Sequence, residues 1–192
     1  LELAAEAPGV FQGVPVVVFG ILLSLGVLLA AGRRSGQQTP LRVSALIALG
    51  IGLHNLGEGL AIGAAFATGA AALGAFLVIG FTLHNITEGI GIVAPLTRGE
   101  RPRVRTFFLL ALLAGGPAIL GTWIGRPAFS PLLAALFLSI GAGAILQVIW
   151  EVGKMLSRDA RAAGGSALTW LNLGGLTAGI LIMYLTAFLV KF

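Results

Sequence analysis

The chain contains only two histidines, His54 and His84, and both stand in the same setting: Leu53-His54-Asn55-Leu56-Gly57-Glu58-Gly59 and Leu83-His84-Asn85-Ile86-Thr87-Glu88-Gly89. The pattern H-N-x-x-E-G thus occurs twice, 30 residues apart. On an α-helix turning about 100° per residue, His and Glu four apart lie about 40° from each other, and the Asn about 100° from the His. Each copy therefore lays an imidazole, an amide and a carboxylate along one stripe. Two of each form a mixed N/O donor set that suits Zn²⁺, Fe²⁺, Mn²⁺ or Cd²⁺ and suits Cu⁺ or an iron–sulfur cluster poorly. The candidate metal-ligating residues are His54, Asn55, Glu58, His84, Asn85 and Glu88. The chain has no cysteine, which excludes disulfides and thiolate sites.

The elements that carry these residues must sit in lipid. Hydrophobic residues make up 57% of the 192 and charged ones 10%, with a mean hydropathy of +1.01. A soluble domain carries about a quarter charged residues. Six apolar segments are expected, at about 13–31, 41–67, 71–97, 104–125, 130–156 and 167–190. A crossing takes about 20 apolar residues, and only helices or closed barrels satisfy backbone polar groups in hydrocarbon. The expected fold is all-α: a polytopic transmembrane helix bundle forming a single domain over residues 1–192, with no room for a separate soluble domain. Pro40 stands at the start of the second segment, where a missing N–H costs nothing.

Both motifs fall inside apolar runs, on the second and third segments. A short uncharged connection near Ala67–Ala72 makes those two helices antiparallel neighbours. His54 precedes that turn by about 13 residues and His84 follows it by about 12, which places both ~18–20 Å deep, near the bilayer midplane. Glu58 is then one turn outward of His54 and Glu88 one turn inward of His84, a ladder of ligands spanning about two turns. Charged groups in a span are expensive and mark pathways, and transporters hold substrate near the midplane. A lone intramembrane His commonly just bonds one helix to another; two identical stripes at equal depth favour a pathway. Glu151 lies near the inner end of the fifth segment beside Lys154, where an ion pair and a metal role both remain open, and Gln147 is one turn away. Pro95 marks either a bend beside the inner exit or the inner end of the third helix. Gly59 with Gly63, and Gly175 with Gly179, have the spacing of close helix packing.

Charge follows the loops. The first, third and fifth connections and their flanks hold Arg33, Arg34, Arg42, Arg98, Arg101, Arg103, Arg105, Lys154, Arg158 and Arg161. The other side holds Arg126 and Lys191, with Glu2 and Glu6 at the N-terminus. By the positive-inside rule three connections are cytoplasmic and both termini outside. The net charge of +5 is thus a topology signal and not a nucleic-acid surface.

The two motifs, with Glu88-Gly89-Ile90-Gly91-Ile92-Val93-Ala94-Pro95-Leu96, resemble the ZIP family of metal permeases. The resemblance implies a protein of eight membrane helices with both ends outside and a transport site between the fourth and fifth. The six segments would be the third to eighth. Starting Leu-Glu-Leu and not Met, the chain is expected to lack an upstream stretch that would hold the other two. His54, Asn55 and Glu58 match the ligands of the fourth family helix, and His84, Asn85 and Glu88 those of the fifth; some members carry an acidic residue in place of Asn85. Where the next family helix often has Glu-Pro, this chain has Gly116-Pro117, so the resemblance implies one principal ion and not two. The fifth segment lacks the usual Pro-Glu after Glu151, and the first connection lacks the His-rich loop of many members.

The expected function is membrane transport of divalent transition-metal ions, Zn²⁺ first, by alternating access or a channel-like variant of it. The metal is substrate; no catalytic residue, cofactor or enzymatic activity is assigned. Because ligands must be deprotonated to bind, metal and protons should compete. The expected partners are the lipid bilayer of the plasma or inner membrane and the metal ion, with no nucleic acid and a homodimer left open. Two rivals differ in kind. An intramembrane metalloenzyme would need an open metal position and a base within reach of substrate, and H-E-x-x-H is absent. A proton or other cation carrier would use Glu58 and Glu88 as relays.

Overall fold

The computed structural model describes residues 10–34, 39–99, 102–125 and 130–190. These form α1 (Val10–Arg34), α2 (Pro40–Ala67), α3 (Ala71–Val93) with a 3₁₀ turn (Ala94–Arg98), α4 (Val104–Gly125), α5 (Pro131–Ala162) and α6 (Trp170–Val190). No strand occurs among the described residues, and the fold is all-α as the composition requires. Glu2, Glu6, Ser35, Gly36, Gln37, Gln38, Glu100, Arg101, Arg126 and Lys191 lie outside the described residues. Five helices are long and apolar enough to cross a membrane, α1 to α5; the described apolar stretch of α6, Trp170–Leu185, is shorter. Large apolar side chains such as Phe19, Ile86, Ile90, Phe108 and Trp123 are exposed around the bundle, as expected of a surface that lipid covers.

The central helix is α2, which packs on α3, α4 and α5, while α1 packs on α5 and α6 on α3. Its start is fixed by Thr39, whose Oγ1 accepts from the Arg42 amide at 3.4 Å, with Pro40 in the first turn. At its end Gly69 adopts φ +78°, and the Ala70 amide donates back to Ala65 O at 2.9 Å. That left-handed turn suits glycine because a positive φ strains any residue that carries a Cβ. It brings α3 back beside α2 within three residues, as the uncharged connection predicted.

Close approach of α2 and α4 depends on glycine from both sides. A Cβ on Gly59 would run into the Ala118 carbonyl, one on Gly121 into Leu56 O, and one on Gly125 into Leu60 O. A Cβ at Gly175 or Gly179 would meet nothing within 4 Å, so among the described residues their spacing serves no close packing. Below the motifs, toward Pro40, lies an apolar core of Val43, Ile47, Ala48 and Ile51 with Ile92, Leu96, Leu110 and Ala114.

The expected boundaries shift in four places. Helix α1 runs beyond 13–31 at both ends. The third segment is α-helical only to Val93, because Pro95 removes a backbone donor and the chain tightens into the 3₁₀ turn; Pro95 thus marks the helix end. Helix α5 continues past 156 to Ala162, since arginine is a good helix former and a helix need not stop where its hydrophobicity does. Helix α6 starts at Trp170 and not at 167, because Thr169 Oγ1 caps the Asn172 amide at 3.2 Å.

Candidate metal centre

The second and third helices bring the two motifs face to face. Glu58 Oε1 lies 2.6 Å from His84 Nε2 and 3.2 Å from His54 Nε2. One carboxylate oxygen is therefore shared by two imidazoles from two helices. The ligand atoms of His54, Glu58 and His84 all lie within 4.8 Å of one another, a spacing that could hold a metal ion. The imidazole rings are 6.5 Å apart between centroids and inclined by 43°. The expected two-turn ladder is replaced by a more compact group, because the long Glu58 side chain reaches across to the facing helix.

Each ligand is held by a particular neighbour. Gly141 of α5 lies against His54, where a Cβ would sit 3.2 Å from its Cα and 3.4 Å from Nδ1; the missing side chain lets α5 pack closely on the motif's backbone. The Phe81 ring meets the His84 ring edge-on at 5.4 Å and forms an apolar wall. Glu58 and His84 are buried, at 6% and 5% exposure, while His54 is half-buried. Asn55 Nδ2 donates to Ala114 O of α4 at 3.1 Å. One residue earlier on α4, the Leu113 carbonyl loses its usual i+4 amide donor because Pro117 has no N–H. Gly52 packs directly on that carbonyl and on the Pro117 ring.

Of the four titratable sequence-predicted ligands, Glu88 stands outside the trio. Glu88 is half-buried and interacts electrostatically with His54, Glu58 and His84, and its carboxylate approaches Asn55. Asn85 is half-buried one turn before it. One oxygen of each of Asn55, Glu58, Asn85 and Glu88 is buried with no hydrogen-bond partner. Buried polar groups are ordinarily satisfied, and oxygen acceptors left over on the two motifs that carry the imidazoles are of the kind a dication takes as partners. The donor chemistry agrees, being neutral nitrogen and anionic or amide oxygen throughout.

Glu151 and Gln147 belong elsewhere. Glu151 is 2% exposed and takes Lys154 Nζ on Oε1 at 2.7 Å, the ion-pair alternative foreseen for it. Gln147 is fully buried with neither amide atom partnered, as is the Ser44 hydroxyl. Glu151 also lines a cavity of about 170 Å³ between Pro40, Pro95 and Arg158, across which Arg98 pairs with Asp159. The roles of Ala114, Gly141 and Phe81 were missed in the sequence. Gly141 could have been suspected from the small-residue run Gly141-Ala142-Gly143, but the Ala114 carbonyl carries no sequence signal.

Fold and site together define an integral membrane protein, an all-α helical bundle with a His/Glu group within its spans that could hold a metal ion. Comparison of the chain with protein-family models, with curated proteins and with solved structures gives no match in any of the three.

Proposed function

We propose that this protein carries divalent transition-metal ions, Zn²⁺ foremost, across the bilayer through the site between α2 and α3, in the manner of the ZIP family. The observation that carries the reading is the Glu58 oxygen shared between two imidazole nitrogens of facing helices, with an unpartnered buried oxygen on each of Asn55, Glu58, Asn85 and Glu88 of the same two motifs. Polar groups arranged this way within membrane helices serve substrate or ion pathways. A purely structural pair would have no use for the orphaned acceptors of Asn85 and Glu88.

In this account the metal sheds water and takes the lone pairs that protons hold in its absence. The ion competes for the lone pairs of the two imidazoles and the Glu58 carboxylate, so any proton that makes an imidazole cationic or a carboxyl neutral must leave as it enters. Glu58 and Glu88 offset the double charge in a medium that solvates it poorly. The ion leaves toward the arginine-rich side, which the positive-inside rule makes cytoplasmic, in the plasma or inner membrane with both termini outside. The protein acts as a carrier and not as an enzyme.

Uptake of radioactive Zn²⁺ into proteoliposomes tests the proposal. Saturable uptake is expected, falling to the level of protein-free vesicles in the Glu58→Ala/His84→Ala variant. Folded, inserted protein that moves no Zn²⁺, Fe²⁺, Mn²⁺ or Cd²⁺ overturns it.

A further inference from the structure

Inward of the metal centre the protein is shut. An ion leaving toward the basic side meets Val43, Ile47 and Ile51 of α2 clustered with Ile92 of α3 and Leu96 of its 3₁₀ turn. Apolar side chains do not replace the water of a dication, so the inner half of α3 must part from α2 for the ion to pass. Beneath this seal, and sharing Val43 with it, lies the cavity of about 170 Å³ bounded by Pro40, Pro95 and Glu151. Arg98, which ends the 3₁₀ turn, pairs with Asp159 of α5 across it. Arg158, also on the cavity wall, is itself engaged.

Helix α3 is lightly held. Of its 23 residues only Gly74, Gly80, His84 and Ile92 are buried, and elements with few buried apolar contacts open at low cost. Between Glu88 and the 3₁₀ turn stand Gly89 and Gly91. A Cβ at either would meet nothing within 4 Å, so neither serves the close approach that Gly59 and Gly121 serve. What they contribute is a weak stretch of helix, since an interior glycine makes local unwinding about two- to five-fold easier than alanine does. Pro95 removes a further backbone donor just beyond them. Hinges are built from a few positions of this kind. We infer that the segment 89–98 is the inner gate of the metal pathway, hinged at Gly89 and Gly91 and latched by the Arg98–Asp159 pair. Its purpose rests on the transport reading; its motion does not. The latch is 38% and 48% exposed, and a pair that wet holds the closed state by no more than about five-fold, weak enough to open in each cycle.

Opening is read without metal. The chain has no cysteine, and Val43→Cys puts a thiol on the cavity wall. Its rate of reaction with a hydrophilic maleimide is measured on the full chain in detergent, beside the exposed Ser166→Cys as reference. If Val43→Cys does not fold, Met155→Cys on the same cavity replaces it. Asp159→Asn should raise the rate by up to about five-fold, and the exchange Arg98→Asp/Asp159→Arg should return it to the parent value. Gly89→Ala/Gly91→Ala should lower it by about four-fold or more without lowering Tm, because open space receives both methyl groups. A rate unchanged in Asp159→Asn overturns the gate, and so does a rate unchanged in the double alanine variant. A cavity thiol that never reacts while the reference does overturns it as well. The expected rates in a protein that moves no metal would uphold the gate and overturn the transport reading alone.

Discussion

Glu58 Oε1 faces two imidazole nitrogens at once, 2.6 and 3.2 Å away, so it is the atom on which the metal centre depends most. Glu58→Gln keeps the shape and removes the charge; Zn²⁺ affinity measured by competition with a chelating dye should fall by more than about 100-fold, beyond the range typical of supporting residues. Asn55 reaches the Ala114 carbonyl and holds the motif against α4. Asn55→Ala should therefore weaken Zn²⁺ by about 10–100-fold in the same assay; an unchanged affinity would remove Asn55 from the account. At this scale the sequence was informative, because titratable groups in an apolar run have few bland uses. All six candidate residues lie on the facing helices, and of the four titratable ones His54, Glu58 and His84 form the tight group. Which carboxylate would bridge depended on how far the helices stand apart, and no spacing rule contains that distance.

Between elements, α2 carries half of the site and is pressed onto α4 by glycine. Gly59→Ala would push a methyl group into the Ala118 carbonyl; overpacking of this kind costs about 1–3 kcal/mol, to be read as a lowered Tm in detergent together with weakened Zn²⁺ binding. Gly175→Ala, with open space around it, should change neither. Equal tolerance at both positions would contradict this packing. Six apolar segments were legible because lipid requires long hydrophobic runs, and the turn between α2 and α3 was legible because it lacks charge. The choice among 29 glycines was not, since packing partners lie far apart in sequence. Helix ends were misjudged where hydrophobicity stops before the helix does, at Ser157–Ala162, or begins before it, at Ala167–Thr169.

For the molecule as a whole, orientation rests on arginine and lysine alone. The chain has no native cysteine, so single cysteines report cleanly. In intact cells Thr68→Cys should react with a membrane-impermeant maleimide, and Ser166→Cys only after permeabilisation; the reverse pattern would invert the topology. Metal and protons compete for the same lone pairs, so Zn²⁺ uptake should decline as the medium is acidified, and a rate rising steadily with acidity would favour a proton-driven carrier instead. The account as a whole turns on one dication held by imidazoles of two helices. Zn X-ray absorption on the protein loaded with one equivalent of Zn²⁺ tests that most directly. Two imidazole nitrogens at about 2.0 Å with oxygen completing the shell are expected, and His84→Ala should leave one. A bound ion that shows no imidazole, or two imidazoles that persist in His84→Ala, would contradict it.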